Sequence, residues 1–156
     1  MSDRFIDNYL LFQLALASHT FSEEFYGQLR AAGVSPAKWR ILINLVDCPG
    51  MYLTRLAKYA LYEQSRTTKL VDQLVGEKLV ERRIDQKDRR RVSVHITATG
   101  RGLIEPLIEK AKLHEDDVLS SLNASDRKRL KSILTKLAKR HSEDMQVLGL
   151  QIVDTA

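Results

Sequence analysis

Apolar residues recur at steps of three and four over residues 5–29 (Phe5, Ile6, Tyr9, Phe12, Leu16, Phe21, Phe25, Leu29), the spacing of one long helix. Leu10, Leu11 and Leu14 fall off that stripe and add more hydrophobic surface than one small domain would need to cover. Gly33 closes the segment. Ser35-Pro36 then opens a second helix, with serine as N-cap and proline at the first helical position. It runs through Trp39, Leu42, Ile43 and Val46 until Cys48-Pro49-Gly50 stops it. Tyr52-Leu53 reads as extended, and Thr54 as the N-cap of a short helix over residues 55–59. The next helix starts near Glu63 and sets Thr67, Leu70, Val71 and Leu74 on one face.

The period then changes. Residues 79–84 and 90–97 flank a charged turn, and Val92, Val94 and Ile96 alternate onto one face as in a half-buried strand. Two strands joined by a basic turn form a β-ribbon. From Thr99 a helix carries Leu103, Ile104, Leu107, Ile108 and Ala111, then Val118, Leu119 and Leu122, and Pro106 inside it is expected to kink it. Asn123 followed by Asp126 caps a last helix with Leu130, Ile133, Leu134 and Leu137, and more weakly Met145 and Leu148. The tail after Gly149 is expected to fray. The fold class is mainly α (α+β).

Composition narrows this little: 156 residues, 44% hydrophobic and 29% charged, are ordinary for a globular chain with a sizeable core. No run approaches the ~20 apolar residues of a bilayer span, and the mixed-charge start Met1-Ser2-Asp3-Arg4 is not a signal peptide. A single cysteine, Cys48, excludes an internal disulfide and fits a cytoplasmic location; beside Pro49 it reads as a buried small residue. Charge says more. Residues 55–91 hold eleven Lys/Arg against six Asp/Glu, a net +5 that equals the net charge of the whole chain. Such focusing suits a polyanion contact, although a solvated basic surface would give the same count.

With Thr67, Leu70, Val71 and Leu74 inward, about 100° per residue turns Ser65, Lys69 and Asp72 directly outward, with Arg66, Thr68 and Gln73 on the flanks. Gln64 and Thr54 join this polar set. Arg and Lys suit guanine edges, Gln suits adenine, and the hydroxyls suit bases or phosphates, while a major groove about 12 Å wide admits one helix. An amphipathic helix with a solvated outer face would look the same; the ribbon tips the balance. Lys87-Asp88-Arg89-Arg90-Arg91 puts four cations in five residues, which repel one another unless a polyanion is near. A ribbon tip of that charge suits a minor groove, with Asp88 pairing a neighbouring arginine to direct it.

Leu53-Thr54-Arg55-Leu56-Ala57, Leu70-Val71-Asp72-Gln73-Leu74, Leu79-Val80-Glu81-Arg82, Asp88-Arg89-Arg90 and Ile96-Thr97-Ala98-Thr99-Gly100 together resemble the MarR family of bacterial transcription regulators. Trp39-Arg40-Ile41-Leu42 is similar to a segment common in the preceding helix. The resemblance implies a winged helix-turn-helix with long N- and C-terminal dimerisation helices. Its parts would be an N-terminal dimerisation helix (1–34), the DNA-binding domain (35–100), C-terminal dimerisation helices (101–148) and a tail (149–156). It implies a homodimer on a palindromic, double-stranded operator, acting as a repressor, with Ser65, Arg66, Thr68 and Lys69 on bases and phosphates. Arg90 would enter the minor groove, oriented by Asp88. Where the family usually carries glycine this chain has Lys78, with Gly76 two residues earlier, so the helix C-cap is expected to form differently.

The resemblance also implies release of DNA by a small effector, aromatic or anionic, with Tyr9, Phe12, His19, Trp39 and Arg40 as candidate wall residues. Each of these would equally serve as a packing residue. His19, His95, His114 and His141 are too scattered for a metal site, and no cofactor is expected. No phosphate loop, nucleophile motif or paired-carboxylate frame points to an enzyme. The remaining alternative is a winged helix for protein contact or non-specific architectural DNA binding.

Overall fold

The computed structural model describes residues 4–85 and 91–139. The first helical segment is two helices, α1 (Phe5–Asn8) and α2 (Leu10–Ala31), rather than one. The break lies at Tyr9, whose ψ of 104° is extended, and the Gln13 side-chain amide donates to the Asp7 carbonyl at 2.7 Å in place of a helical N–H. Helix α3 (Pro36–Asp47) begins as expected, with Ser35 Oγ accepting from the Lys38 N–H at 3.2 Å. Cys48 caps its other end and is exposed, not buried, because the chain leaves the helix there toward the Pro49-Gly50 turn.

Strand β1 (Met51–Tyr52) leads directly into α4 (Leu53–Ala60), so the N-cap is Tyr52 and not Thr54. The helix starts early because β1 ends at Tyr52 and Leu53 already has to turn inward; Thr54 sits exposed in the first turn. Helix α5 (Gln64–Gly76), strands β2 (Val80–Ile84) and β3 (Val92–Ile96), and helices α6 (Ala98–Val118) and α7 (Ala124–Lys139) complete the chain. The strands form one antiparallel sheet in the order β1-β3-β2, with Met51 opposite Val94 and Arg82 opposite Val94 on the other side. The pairing of β1 is what a pattern of two extended residues does not announce. Helix α6 continues through Pro106. Asn123 caps α7 as expected, its Oδ1 accepting from the Asp126 N–H at 2.9 Å while its amide donates to the Asp126 carboxylate.

One core joins these elements. Leu29 of α2, Ile41, Leu42 and Leu45 of α3, Leu56 of α4, Val71 and Leu74 of α5, Val94 of β3 and Ile104 of α6 are all fully buried and belong to a single cluster. Each such side chain contributes about 1.5–3 kcal/mol by leaving water. Helix α5 and the ribbon are thus mounted on a common apolar base.

The exit from α5 corrects the expectation at Lys78. Lys78 N–H donates to the Val75 carbonyl and Leu79 N–H to that of Leu74, both at 2.9 Å, the paired closure of a Schellman cap. Lys78 itself takes the left-handed position, at φ +61°. The cap keeps the geometry that glycine would give, with a lysine in the strained place. Lys78→Gly is therefore expected to raise stability by about 1 kcal/mol, read as a higher denaturant midpoint at unchanged slope.

Candidate nucleic-acid interface

The inner face of α5 is closed and the outer face open. Thr67, Val71 and Leu74 are buried, whereas Gln64, Ser65, Arg66, Lys69, Asp72 and Gln73 are exposed. Thr67 tolerates its burial because its hydroxyl donates to the Glu63 carbonyl at 3.1 Å. Thr68, half-buried on the flank, donates to the Gln64 carbonyl at 2.9 Å, so only its oxygen lone pairs remain for an outside partner. The tight turn before α5 is fixed by Leu61 at φ +58° and by the Tyr62 N–H donating to the Ala57 carbonyl at 3.0 Å. Two side chains that the sequence pattern does not mark, Arg82 and Tyr62, frame this face. Arg82 of β2 pairs with Asp72 at 2.6 Å, tying α5 to the ribbon and compensating the one acid on the outer face. The Arg66 guanidinium lies over the Tyr62 ring, 4.2 Å from its centroid.

Beside α5 stands the base of the wing. Asp85 N–H donates to the Arg91 carbonyl at 2.9 Å, closing the ribbon there. The Tyr52 hydroxyl donates to Asp85 Oδ2 at 2.6 Å, and the Arg91 guanidinium lies 5.2 Å from the Tyr52 ring centroid. That hydrogen bond, more than burial, raises the Tyr52 phenol above its ordinary value. Arg91 thus stands at the wing base, while Lys87, Asp88, Arg89 and Arg90 lie outside the described residues. The role of Tyr52 is hidden in the sequence because its partner is 33 residues away and depends on β1 joining the sheet.

On β3, His95 packs its ring against Gly50, where an added Cβ would sit 2.8 Å from His95 Cε1, and its Nε2 lies 3.0 Å from Ser93 Oγ. Burial, then the Arg83 charge, lowers its pKa below the ordinary 6.5. Between the two values the unfolded chain binds more protons than the folded one. Stability is then full above about pH 6.5 and declines as pH falls below it. Thermal melts between pH 8 and 5 are expected to show that decline, and His95→Gln to flatten it.

A cavity of about 950 Å³ opens between α2, α3, α6 and α7. Trp39 and Arg40 line it with Phe21 and Phe25 of the apolar stripe, as does a set the pattern does not mark: Tyr26, His114, Arg127, Lys128 and Lys131. Phe25 stands edge-on to Trp39 at 5.2 Å and stacks on His114 at 5.8 Å. His114 is held by a 2.9 Å contact between its Nε2 and the Phe21 carbonyl. Tyr9, Phe12 and His19 are not in this wall; within the chain they sit exposed at and along the N-terminal part of α2. Their helix turns that part away from α3 and α6. His114 and the α7 cations are not legible in the sequence because α7 reaches the cavity only through tertiary packing. Among the described residues no cluster of three or more His, Cys, Asp or Glu is placed to hold a metal ion, and no helix is long and apolar enough to cross a membrane.

Residues 32–91 match the MarR family profile, a span that covers α3 to the wing base. The chain is 31% identical to the HTH-type transcriptional regulator BilQ of Clostridium symbiosum over 72% of its own length and 78% of BilQ. The crystal structure of the MarR family regulator SPO1453 from Silicibacter pomeroyi superposes with a TM-score of 0.79 at 42% identity, covering 88% of this chain and 98% of that one. BpsR of Bordetella bronchiseptica, whose DNA binding is regulated by 6-hydroxynicotinic acid, shares the fold at 22% identity and a TM-score of 0.78, over 88% and 98% of the two chains. With the exposed polar face of α5, the sheet-mounted wing and the long flanking helices, these matches fix the assignment: the chain belongs to the MarR family of winged helix-turn-helix, DNA-binding transcriptional regulators, and not to an enzyme family.

Proposed function

We propose that the protein is a homodimeric repressor that binds a palindromic operator, with α5 in the major groove and the wing in the minor groove, and that a small aromatic anion releases it. The observation that carries this is α5 itself: a buried inner face, an outer face of Ser65, Arg66, Lys69 and Gln73, and an Asp72–Arg82 link to the wing strand. In this division residues 35–100 read DNA, and the flanking helices join two copies. The exposed apolar surface supports the dimer. Phe5, Leu10, Leu11 and Leu16 at one end of the chain and Ile133, Leu134 and Leu137 on α7 all face outward. Two such units related by a two-fold axis would meet successive major grooves about 34–36 Å apart.

The cavity supports the effector. Its aromatic wall suits a flat ring, and its four cations, Arg40, Arg127 (paired with Asp116 at 3.7 Å), Lys128 and Lys131, outnumber the lining acids Glu115 and Asp116 and suit an acid group. BpsR, which answers to a hydroxylated pyridine carboxylic acid, is a relative of the same fold. Sequencing genomic DNA captured by the protein, followed by gel-shift competition, tests the core of the reading. The complex is expected to resist random DNA and yield to the captured sequence. Equal loss to both would instead make the protein an architectural binder. Sedimentation is expected to give a dimer at micromolar concentration.

A further inference from the structure

The Tyr62 ring serves two arginines. Arg66 of α5 lies over it at 4.2 Å, and Arg40, from the cavity wall, lies 5.6 Å from the same centroid. Arg40 also reaches the Tyr26 hydroxyl, at 3.4 Å, so its guanidinium stands between the cavity and the ring. Tyr62 is half-buried in the turn before α5, held by its N–H bond to the Ala57 carbonyl. Its own backbone is therefore fixed, while both cations on it are carried by long side chains with several rotatable bonds.

We infer that Tyr62 is a positioning residue that sets how freely Arg66 reaches DNA and that reports to it whether an anion has engaged Arg40 in the cavity. Two guanidinium groups drawn to one ring repel each other and share a single quadrupole. With Arg40 free of an anion and on the ring, Arg66 is held weakly and is available to a phosphate or a base edge. When an anion takes Arg40, the ring is left to Arg66, which is then held back from DNA. The direction is the one a released repressor needs. The inference rests on the reading that the outer face of α5 meets DNA.

The test is a mutant cycle on operator affinity in the full-length protein, with no effector present. Arg40→Met keeps the apolar stem and removes the charge. It is expected to lower affinity about two- to five-fold, the size of an exposed cation–π contact. That loss is expected to vanish in the Tyr62→Leu background and to persist in Tyr62→Phe, which keeps the ring. In the free protein, the ring-current shift of the Arg66 Cδ protons is expected to grow in Arg40→Met and to disappear in Tyr62→Leu. Additive effects of Arg40→Met and Tyr62→Leu, with Arg66→Ala still weakening the operator complex, would overturn the coupling alone. An operator complex indifferent to Arg66→Ala would overturn the α5 contact reading and the inference with it. The cycle uses no ligand, so a failure of 6-hydroxynicotinate to quench Trp39 would reject that acid as effector and leave the result of the cycle standing.

Discussion

Gly100→Ala is expected to destabilise the protein by about 3 kcal/mol or more, a large part of the ~5–15 kcal/mol that holds a domain of this size. A Cβ at Gly100 would lie 2.1 Å from the Leu79 carbonyl oxygen and 2.9 Å from Ile96 Cγ1. The carbonyl cannot simply step aside. It accepts from the Thr97 N–H at 3.0 Å, and Thr97 Oγ1 lies 3.1 Å from it. Thr97 Oγ1 in turn reaches the Lys78 carbonyl at 2.7 Å and accepts from the Gly100 N–H at 3.0 Å as the cap of α6. Relief would need backbone movement of ~1 Å with loss of one or two hydrogen bonds, on top of ~1–3 kcal/mol of overpacking. Gly102→Ala on the same helix is the control. Nothing lies within 4 Å of its Cβ, so it is expected to stabilise by up to ~1 kcal/mol. Urea denaturation separates the two, and a Gly100→Ala midpoint equal to wild type would refute the close approach.

The second large effect concerns DNA. Arg66→Ala together with Lys69→Ala is expected to weaken operator binding about 100-fold or more, at ~1–3 kcal/mol per lost contact. Both side chains are exposed and the buried face of α5 is untouched, so stability should move by no more than ~1 kcal/mol, the size of the lost Arg66–Tyr62 contact. The slope of log affinity against log salt should also fall, by about 0.9 for each phosphate contact removed. Fluorescence anisotropy on a labelled duplex at two or more salt concentrations reads both. Affinity within two-fold of wild type would remove α5 as the reading helix.

Much of the fold is legible in the chain because it follows from local rules. The inward set Thr67, Val71 and Leu74, the Ser35 and Asn123 caps and the alternation around Val94 depend only on neighbours within one or two turns. What escapes such rules depends on residues far apart in sequence. Thr54 loses the cap because β1 finds β3, some forty residues on, and pulls the helix start forward. Lys78, by its residue type, argues for a different cap; the packing of Leu79 into the core instead holds the chain in the left-handed turn that lysine alone would avoid. The cavity wall is half legible. Trp39 and Arg40 stand on a helix whose faces the pattern resolves, while His114 and Arg127 arrive from elements whose placement no local rule contains.

The Gly100–Leu79 contact has a mechanical side. Helix α6 is locked at its first turn to the root of β2, and its far end, around His114 and Leu119, forms part of the cavity wall. Its 21 residues make a rod of about 30 Å. A tilt of one degree about one end then shifts the other by about 0.5 Å. The joint couples the helix to the wing root, so a swing of the rod would carry the start of the ribbon with it.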